Sequence, residues 1–205
     1  MRDVLRQGDG RLRVDRRTGL LAGAAFVPSP NCDDRPAGCV PELVVVHGIS
    51  LPPGEFGGPW IERLFTNDLP AAAHPYFAEI EGLRVSAHAL VGRDGAIVQF
   101  VPFHRRAWHA GESSWHGRAR CNDFSIGIEL EGADDVAYAE AQYSSLAGLL
   151  AALLDAYPGL HPDAIAGHAD IAPGRKTDPG PAFEWPRLRG LLRQRLALPR
   201  DGVMT

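Results

Sequence analysis

The densest chemistry in this chain lies between Gly167 and Pro181, where one histidine, one lysine and two aspartates are interleaved with turn-forming residues (GHADIAPGRKTDPGP). A segment this rich in Gly and Pro has little core to build, and loops of this kind carry site residues on a rigid scaffold. His168 and Asp178 are nitrogen and oxygen donors suited to a borderline metal such as zinc. Lys176 adds a cation beside them, where an oxygen gaining negative charge would need one. Two protein ligands do not complete a zinc site, so a third has to come from elsewhere.

Eight histidines are available, at 47, 74, 88, 104, 109, 116, 161 and 168. His47 has a reason to be chosen. It ends the apolar run Glu42-Leu43-Val44-Val45-Val46, which reads as a buried central strand, and Gly48 follows it. Catalytic groups of open sheets gather at such strand ends. Two histidines and a carboxylate, with a fourth position open to water, form a hydrolytic zinc arrangement. His88 is the rival third ligand, and its alternative is a buried, hydrogen-bonded ring.

Hydrolysis at such a site needs a carboxylate to take a proton from water. In the strand expected over 122–130, Ile126, Ile128 and Leu130 alternate with Gly127, Glu129 and Glu131, which puts both glutamates on one face. Glu129 is the favoured base, because burial there would raise its pKa toward that task. Glu131, nearer the strand end, reads as solvated. Trp108, in Arg106-Ala107-Trp108-His109-Ala110-Gly111, is either a platform for a sugar ring or a satellite core contact. Arginines 84, 93, 105, 106, 118 and 120 face only Asp94 and Glu112 over the same stretch. That local positive bias is either a solvated face or a groove for a small anionic ligand gripped by guanidinium forks.

Strands interleaved with helices must position these residues, which predicts an α/β single domain around one central mixed sheet flanked by helices. The expected elements are an opening strand over 19–27, a loop over 28–41, the strand ending at His47, and a Gly/Pro loop over 50–59. Short helices follow over 60–65 and 71–80, then a hairpin over 84–101 turning at Arg93-Asp94-Gly95. The best helix spans 138–157, with Tyr143, Leu146, Leu150, Leu153 and Leu154 at three- and four-residue steps before Pro158-Gly159. A closing helix runs over 183–196. The predicted domain covers 19–198, with a flexible N-terminal extension at 1–18 and a tail at 199–205.

Composition narrows the function class. A net charge of -4 argues against nucleic acid as partner. No apolar run approaches the ~18 residues of a membrane span. The arginine-rich stretch 1–17 lacks the apolar core of a secretory signal. Cys32, Cys39 and Cys121 show no metal-type spacing and read as reduced thiols. A cytoplasmic monomer, free of membrane and nucleic acid, is the expectation.

Four segments carry a resemblance: VVHGISLPPGEFGGPWI at 45–61, LRVSAHALVGRDGAIVQFVPF at 83–103, RAWHAGESSWHGRARCNDFSIGIELEG at 106–132 and GHADIAPGRKTDPGPAFEW at 167–185. Over roughly residues 20–195 the chain resembles the zinc-dependent N-acetylmuramoyl-L-alanine amidases, the family shared by phage T7-type lysozyme and the peptidoglycan recognition proteins. Within it, the motifs are most similar to the cytoplasmic branch acting on 1,6-anhydro-N-acetylmuramyl peptides in peptidoglycan recycling.

The resemblance implies an amidase fold, one zinc ion held by His47, His168 and Asp178, Glu129 as the residue that activates water, and Lys176 as the cation on the tetrahedral intermediate. It also implies Trp108 and Leu51 beside the anhydro-sugar, Arg84 and Arg120 on the diaminopimelate end of the stem peptide, and Ala172 at the substrate. One departure stands out: the residue after the first zinc histidine is asparagine in that branch and Gly48 here. Two rival readings of the same residues are a binding-only recognition module and a lytic enzyme acting on intact wall.

Overall fold

The computed structural model describes residues 11–197. Its frame is a six-stranded mixed sheet of β1 (Ala25–Phe26), β2 (Leu43–Ile49), β3 (Ala89–Val91), β4 (Ile97–Gln99), β5 (Ser125–Glu131) and β6 (Ile165–Gly167), in the spatial order β6-β2-β5-β3-β4-β1. β6, β2, β5 and β3 pair in parallel, and β4 returns antiparallel to β3 as the second arm of the hairpin. β1 joins the far edge parallel to β4.

The continuous apolar run of β2 reflects cover on both faces. Val44 and Val46, with Ile126, Ile128 and Leu130 of β5, point toward helices α3 (Glu140–Ala156) and α5 (Trp185–Ala197). Those helices answer with Tyr143, Leu146, Leu150, Leu153, Leu188 and Leu192. The alternate residues Leu43 and Val45 face the other way, into a smaller cluster with Ala110, Phe124, Ala166 and Ile171. A third cluster seats α1 (Trp60–Phe65) and α2 (Pro75–Glu79) through Ile61, Leu64, Phe65 and Phe77. The α/β fold with a central mixed sheet and flanking helices is as the sequence predicts.

Several boundaries differ for local reasons. The opening strand over 19–27 is broken at Gly23, whose φ is 79°: Leu20–Leu21 pairs with Val14–Asp15, and only Ala25–Phe26 reaches the sheet. Residues 11–18 are therefore built into the fold, not a flexible extension; Leu12 and Val14 pack against the core, and Arg16 donates to the Asp155 carbonyl. The rest of that expected extension, residues 1–10, and the expected tail at 199–205 lie outside the described residues. The helix expected over 71–80 splits into a 3-10 turn at Ala71–Ala73 and α2, with His74 extended between them. Pro75 disfavours a helical conformation at the residue before it. β2 continues two residues past His47 to Ile49, so His47 lies inside the strand and not at its end. Among the described residues no helix is long and apolar enough to cross a membrane.

Candidate metal centre and active site

Strand register assembles the site. Along β2 the side chains of Leu43, Val45 and His47 alternate onto the face away from α3, and along β5 so do Ser125, Gly127, Glu129 and Glu131. His47 and Glu129 are direct neighbours across the β2–β5 pair. On the other side Gly167 pairs with Val46, so the next residue, His168, arrives level with His47. His168 opens the one-turn helix α4 (His168–Ile171), where the sequence suggested only a loop. The chain then turns back and delivers Asp178, whose own carbonyl is pinned by the Ala169 N–H at 2.9 Å.

The result is a tight triangle. His47 Nδ1 lies 2.9 Å from His168 Nδ1 and 3.3 Å from Asp178 Oδ2, and His168 Nδ1 lies 3.1 Å from the same oxygen. Bonds of about 2.0–2.1 Å at tetrahedral angles would set such donors roughly 3.3 Å apart. The rings are turned correctly for it. His168 Nε2 donates to the Ala110 carbonyl at 3.2 Å, and His47 Nε2 faces His109 Nδ1 at 2.9 Å, which leaves both Nδ1 lone pairs pointing inward. Burial pushes the His47 imidazole down to about 4, so its ring is neutral at pH 7. Three inward lone pairs at this spacing repel one another, so the triangle calls for a cation at its centre. Two imidazoles and a carboxylate are a donor set that fits zinc.

His88 is not part of it. Its Nδ1 accepts from the Gly127 N–H at 3.0 Å and its Nε2 donates to the Arg105 carbonyl at 3.0 Å. It is the buried, hydrogen-bonded ring that was the bland alternative, with burial pushing it down to about 3.

Glu129 is buried beside the triangle, and among the described residues its Oε2 finds no hydrogen-bond partner. Desolvation, then the Asp178 charge, raises its carboxyl well above the ordinary range, while the Lys176 ammonium pulls the other way. An orphaned carboxyl oxygen of raised basicity next to a cation site is equipped to take up a proton. Glu131 is also buried, not solvated as its position near the strand end suggested. Its two carboxylate oxygens accept from the backbone N–H groups of Gly57 and Arg93, tying the 50–58 loop to the sheet. Both its oxygens are thus committed to backbone, which separates its role from that of Glu129.

The remaining candidates surround this centre unevenly. Trp108 is half-buried, with its indole N–H on Asp33 at 3.2 Å, and Asp33 in turn accepts from Nε and Nη2 of Arg106. Leu51 is buried with Ile61 and Phe65. Ala172 caps α4, its carbonyl accepting from the N–H groups of Arg175 and Lys176. Arg84 and Arg120 lie exposed at the surface; Arg120 pairs with Asp123 at 3.2 Å. Gly48 has a local cause. A Cβ there would stand 2.4 Å from the Tyr138 hydroxyl, which occupies that space and donates to the Pro179 carbonyl at 2.9 Å. Residues that sequence reasoning passed over include His109, Asn122, Ser125 and Arg35. The available signal was the small pair Ser125 and Gly127 on the face of β5 that also carries Glu129, which leaves room for a side chain to lie across the strand.

The profile of the family described as N-acetylmuramoyl-L-alanine amidase matches residues 37–181. The chain belongs to that family. The amidase is 63% identical over 174 residues to 1,6-anhydro-N-acetylmuramyl-L-alanine amidase AmpD of Escherichia coli K12, covering 85% of this chain and 94% of the relative. The Haemophilus influenzae AmpD is 49% identical over 173 residues, covering 84% and 94%. A crystal structure of a selenomethionine AmpD derivative superposes with a TM-score of 0.84 at 60% identity, covering 87% of this chain and 98% of the other. More distantly, AmpDh3 of Pseudomonas aeruginosa in complex with anhydromuramic pentapeptide gives a TM-score of 0.54 at 28% identity, over 74% and 59% of the two chains. The amidase is therefore an amide hydrolase, and the binding-only reading falls.

Proposed function

We propose that the amidase hydrolyses the amide between the lactyl group of 1,6-anhydro-N-acetylmuramic acid and the L-alanine of a stem peptide, with one zinc ion held by His47, His168 and Asp178. The observation that carries this reading is the donor triangle of 2.9, 3.1 and 3.3 Å with the partnerless Glu129 oxygen beside it. The substrate follows from relatives named for that bond, which match over most of both chains. When bound, zinc supplies Lewis acidity and brings the pKa of a water from about 16 to about 7.

The chain's own groups do the rest. Glu129 Oε2 takes a proton from the attacking water as the new C–O bond forms, then returns it to the amine nitrogen as the C–N bond breaks. The Lys176 ammonium offsets charge on the attacked carbonyl oxygen. Trp108 and Leu51 flank the anhydro-sugar, Ala172 borders the substrate, and Arg84 and Arg120 grip the carboxylate end of the peptide. The reading places a monomer in the cytoplasm, in wall recycling, acting on a small muropeptide without nucleic acid or membrane. The free thiols of Cys32, Cys39 and Cys121 suit a reducing compartment.

Mass spectrometry of 1,6-anhydro-N-acetylmuramyl tripeptide after incubation, with intact sacculi in parallel, tests this. Free tripeptide with sacculi barely touched is the expected result. Rapid solubilisation of sacculi would make the enzyme lytic.

A further inference from the structure

Behind the two histidine ligands lies a pair of consecutive residues that the catalytic assignment leaves unused. His109 Nδ1 meets His47 Nε2 at 2.9 Å, and the carbonyl of the next residue, Ala110, accepts from His168 Nε2 at 3.2 Å. One dipeptide thus backs both rings. It is itself held: the N–H groups of His109 and Ala110 both donate to Asn122 Oδ1, at 3.1 and 2.8 Å. The far nitrogen of His109 reaches Ser125 Oγ at 3.1 Å. Its ring lies flat against Gly127, where a Cβ would stand 2.4–2.7 Å from Cγ, Nδ1 and Cδ2. Beneath, the buried Arg35 guanidinium donates to the carbonyls of Asn122, Asp123 and Ser125 at 2.8–3.1 Å, fixing the segment that carries both anchors.

The donor directions form a consistent chain. If Nδ1 of His47 is to face a metal, its Nε2 must carry the proton, and His109 Nδ1 must accept it. His109 Nε2–H then donates to Ser125 Oγ. Outer partners of this kind fix the tautomer and orientation of a metal-binding imidazole, and their loss typically costs about 10–100-fold in metal affinity.

We propose that His109 is the positioning residue of the His47 ligand, accepting the His47 Nε2 proton so that Nδ1 is turned to the metal, and that Asn122 aligns His109 and Ala110 as one clamp behind both histidines. This rests on the metal-centre reading of the same site.

The test measures zinc affinity against a chromophoric chelator, and the visible ligand-field spectrum with cobalt(II), for the full chain, three substitutions at His109 and one at Ser125. His109→Ala removes ring and acceptor. His109→Phe keeps the ring volume over Gly127 without the acceptor. His109→Asn restores an acceptor near the Nδ1 position. The Ala and Phe variants are expected to bind zinc about 10–100-fold more weakly with an altered cobalt spectrum, and Asn to recover most of the loss. A Phe variant that binds as the parent does, with its spectrum unchanged, would mean the ring only packs, and overturns the proposal. Ser125→Ala disturbs no ring volume, so it serves where a ring variant does not fold. It should weaken zinc in the same direction, and parental values in both readouts likewise overturn the proposal. A parent chain that takes up no zinc would instead overturn the metal-centre reading together with this one.

Discussion

Replacing Glu129 by glutamine removes a charge while keeping the side chain's shape, and the structure makes opposite predictions for activity and stability. A positioned general acid–base contributes on the order of a hundred- to ten-thousand-fold, or about 2.7–5.4 kcal/mol of barrier. Glu129→Gln should lose that much in kcat/KM on the anhydromuropeptide while still taking up zinc. Stability should move the other way. The Glu129 carboxyl is raised by burial and by the Asp178 charge, so the fold favours its neutral form. A raised carboxyl contributes stability that is fully present below the ordinary carboxyl pKa, near 4, and is lost as pH rises through the raised value. In metal-stripped protein the glutamine variant should therefore match the parent in acid and exceed it at neutral pH. With Oε2 unpartnered, relief of about 1 kcal/mol or more is expected, a rise in Tm of roughly 2–4 °C for a domain of this size. Zinc binding should shrink the gap, since the ion's positive charge stabilises the carboxylate. Steady-state assays with thermal melts across pH read both effects. Parental turnover in the variant, or a lower neutral-pH Tm than the parent, would refute the assignment of Glu129.

Three further outcomes follow from the same geometry. Lys176→Ala should retain zinc but lose about a hundred- to a thousand-fold in kcat; a variant with parental kcat would remove the lysine from the reaction. Arg35→Leu leaves the carbonyls of Phe103, Asn122, Asp123 and Ser125 without their guanidinium donor, and should cost about 1–3 kcal/mol in urea denaturation. A loss below about 1 kcal/mol, the scale of one ordinary hydrogen bond, would show that the carbonyls are satisfied otherwise. Gly48→Ala places a Cβ 2.4 Å from the Tyr138 hydroxyl and should destabilise by about 1–3 kcal/mol through overpacking; an unchanged melting point would mean the tyrosine yields freely.

How far the site was legible depends on which contacts obey short-range rules. His168, Lys176 and Asp178 stood out because turn residues crowd around them, and the period of two in β5 put Glu129 on the right face. The α3 and α1 helices were legible from their apolar spacing and breakers. That His47 lies beside Glu129 and level with His168 depends on the pairing order β6-β2-β5, a long-range fact. β6, three residues long, is too short to show a period. Glu131 looked solvated because only its distance from the strand end was visible, whereas the loop carrying Gly57 folds over it. His109 was invisible as a partner for the same reason: its acceptor role exists only once Gly127 opens space across the sheet.

The central claim is that amide hydrolysis here needs one zinc ion in the triangle of His47, His168 and Asp178. The most direct measurement is the rate of tripeptide release by metal-stripped enzyme as zinc is added back in known amounts. The account predicts negligible release without metal and a linear rise that breaks at one equivalent per chain. Full activity in the stripped enzyme, or none restored by zinc, would contradict it.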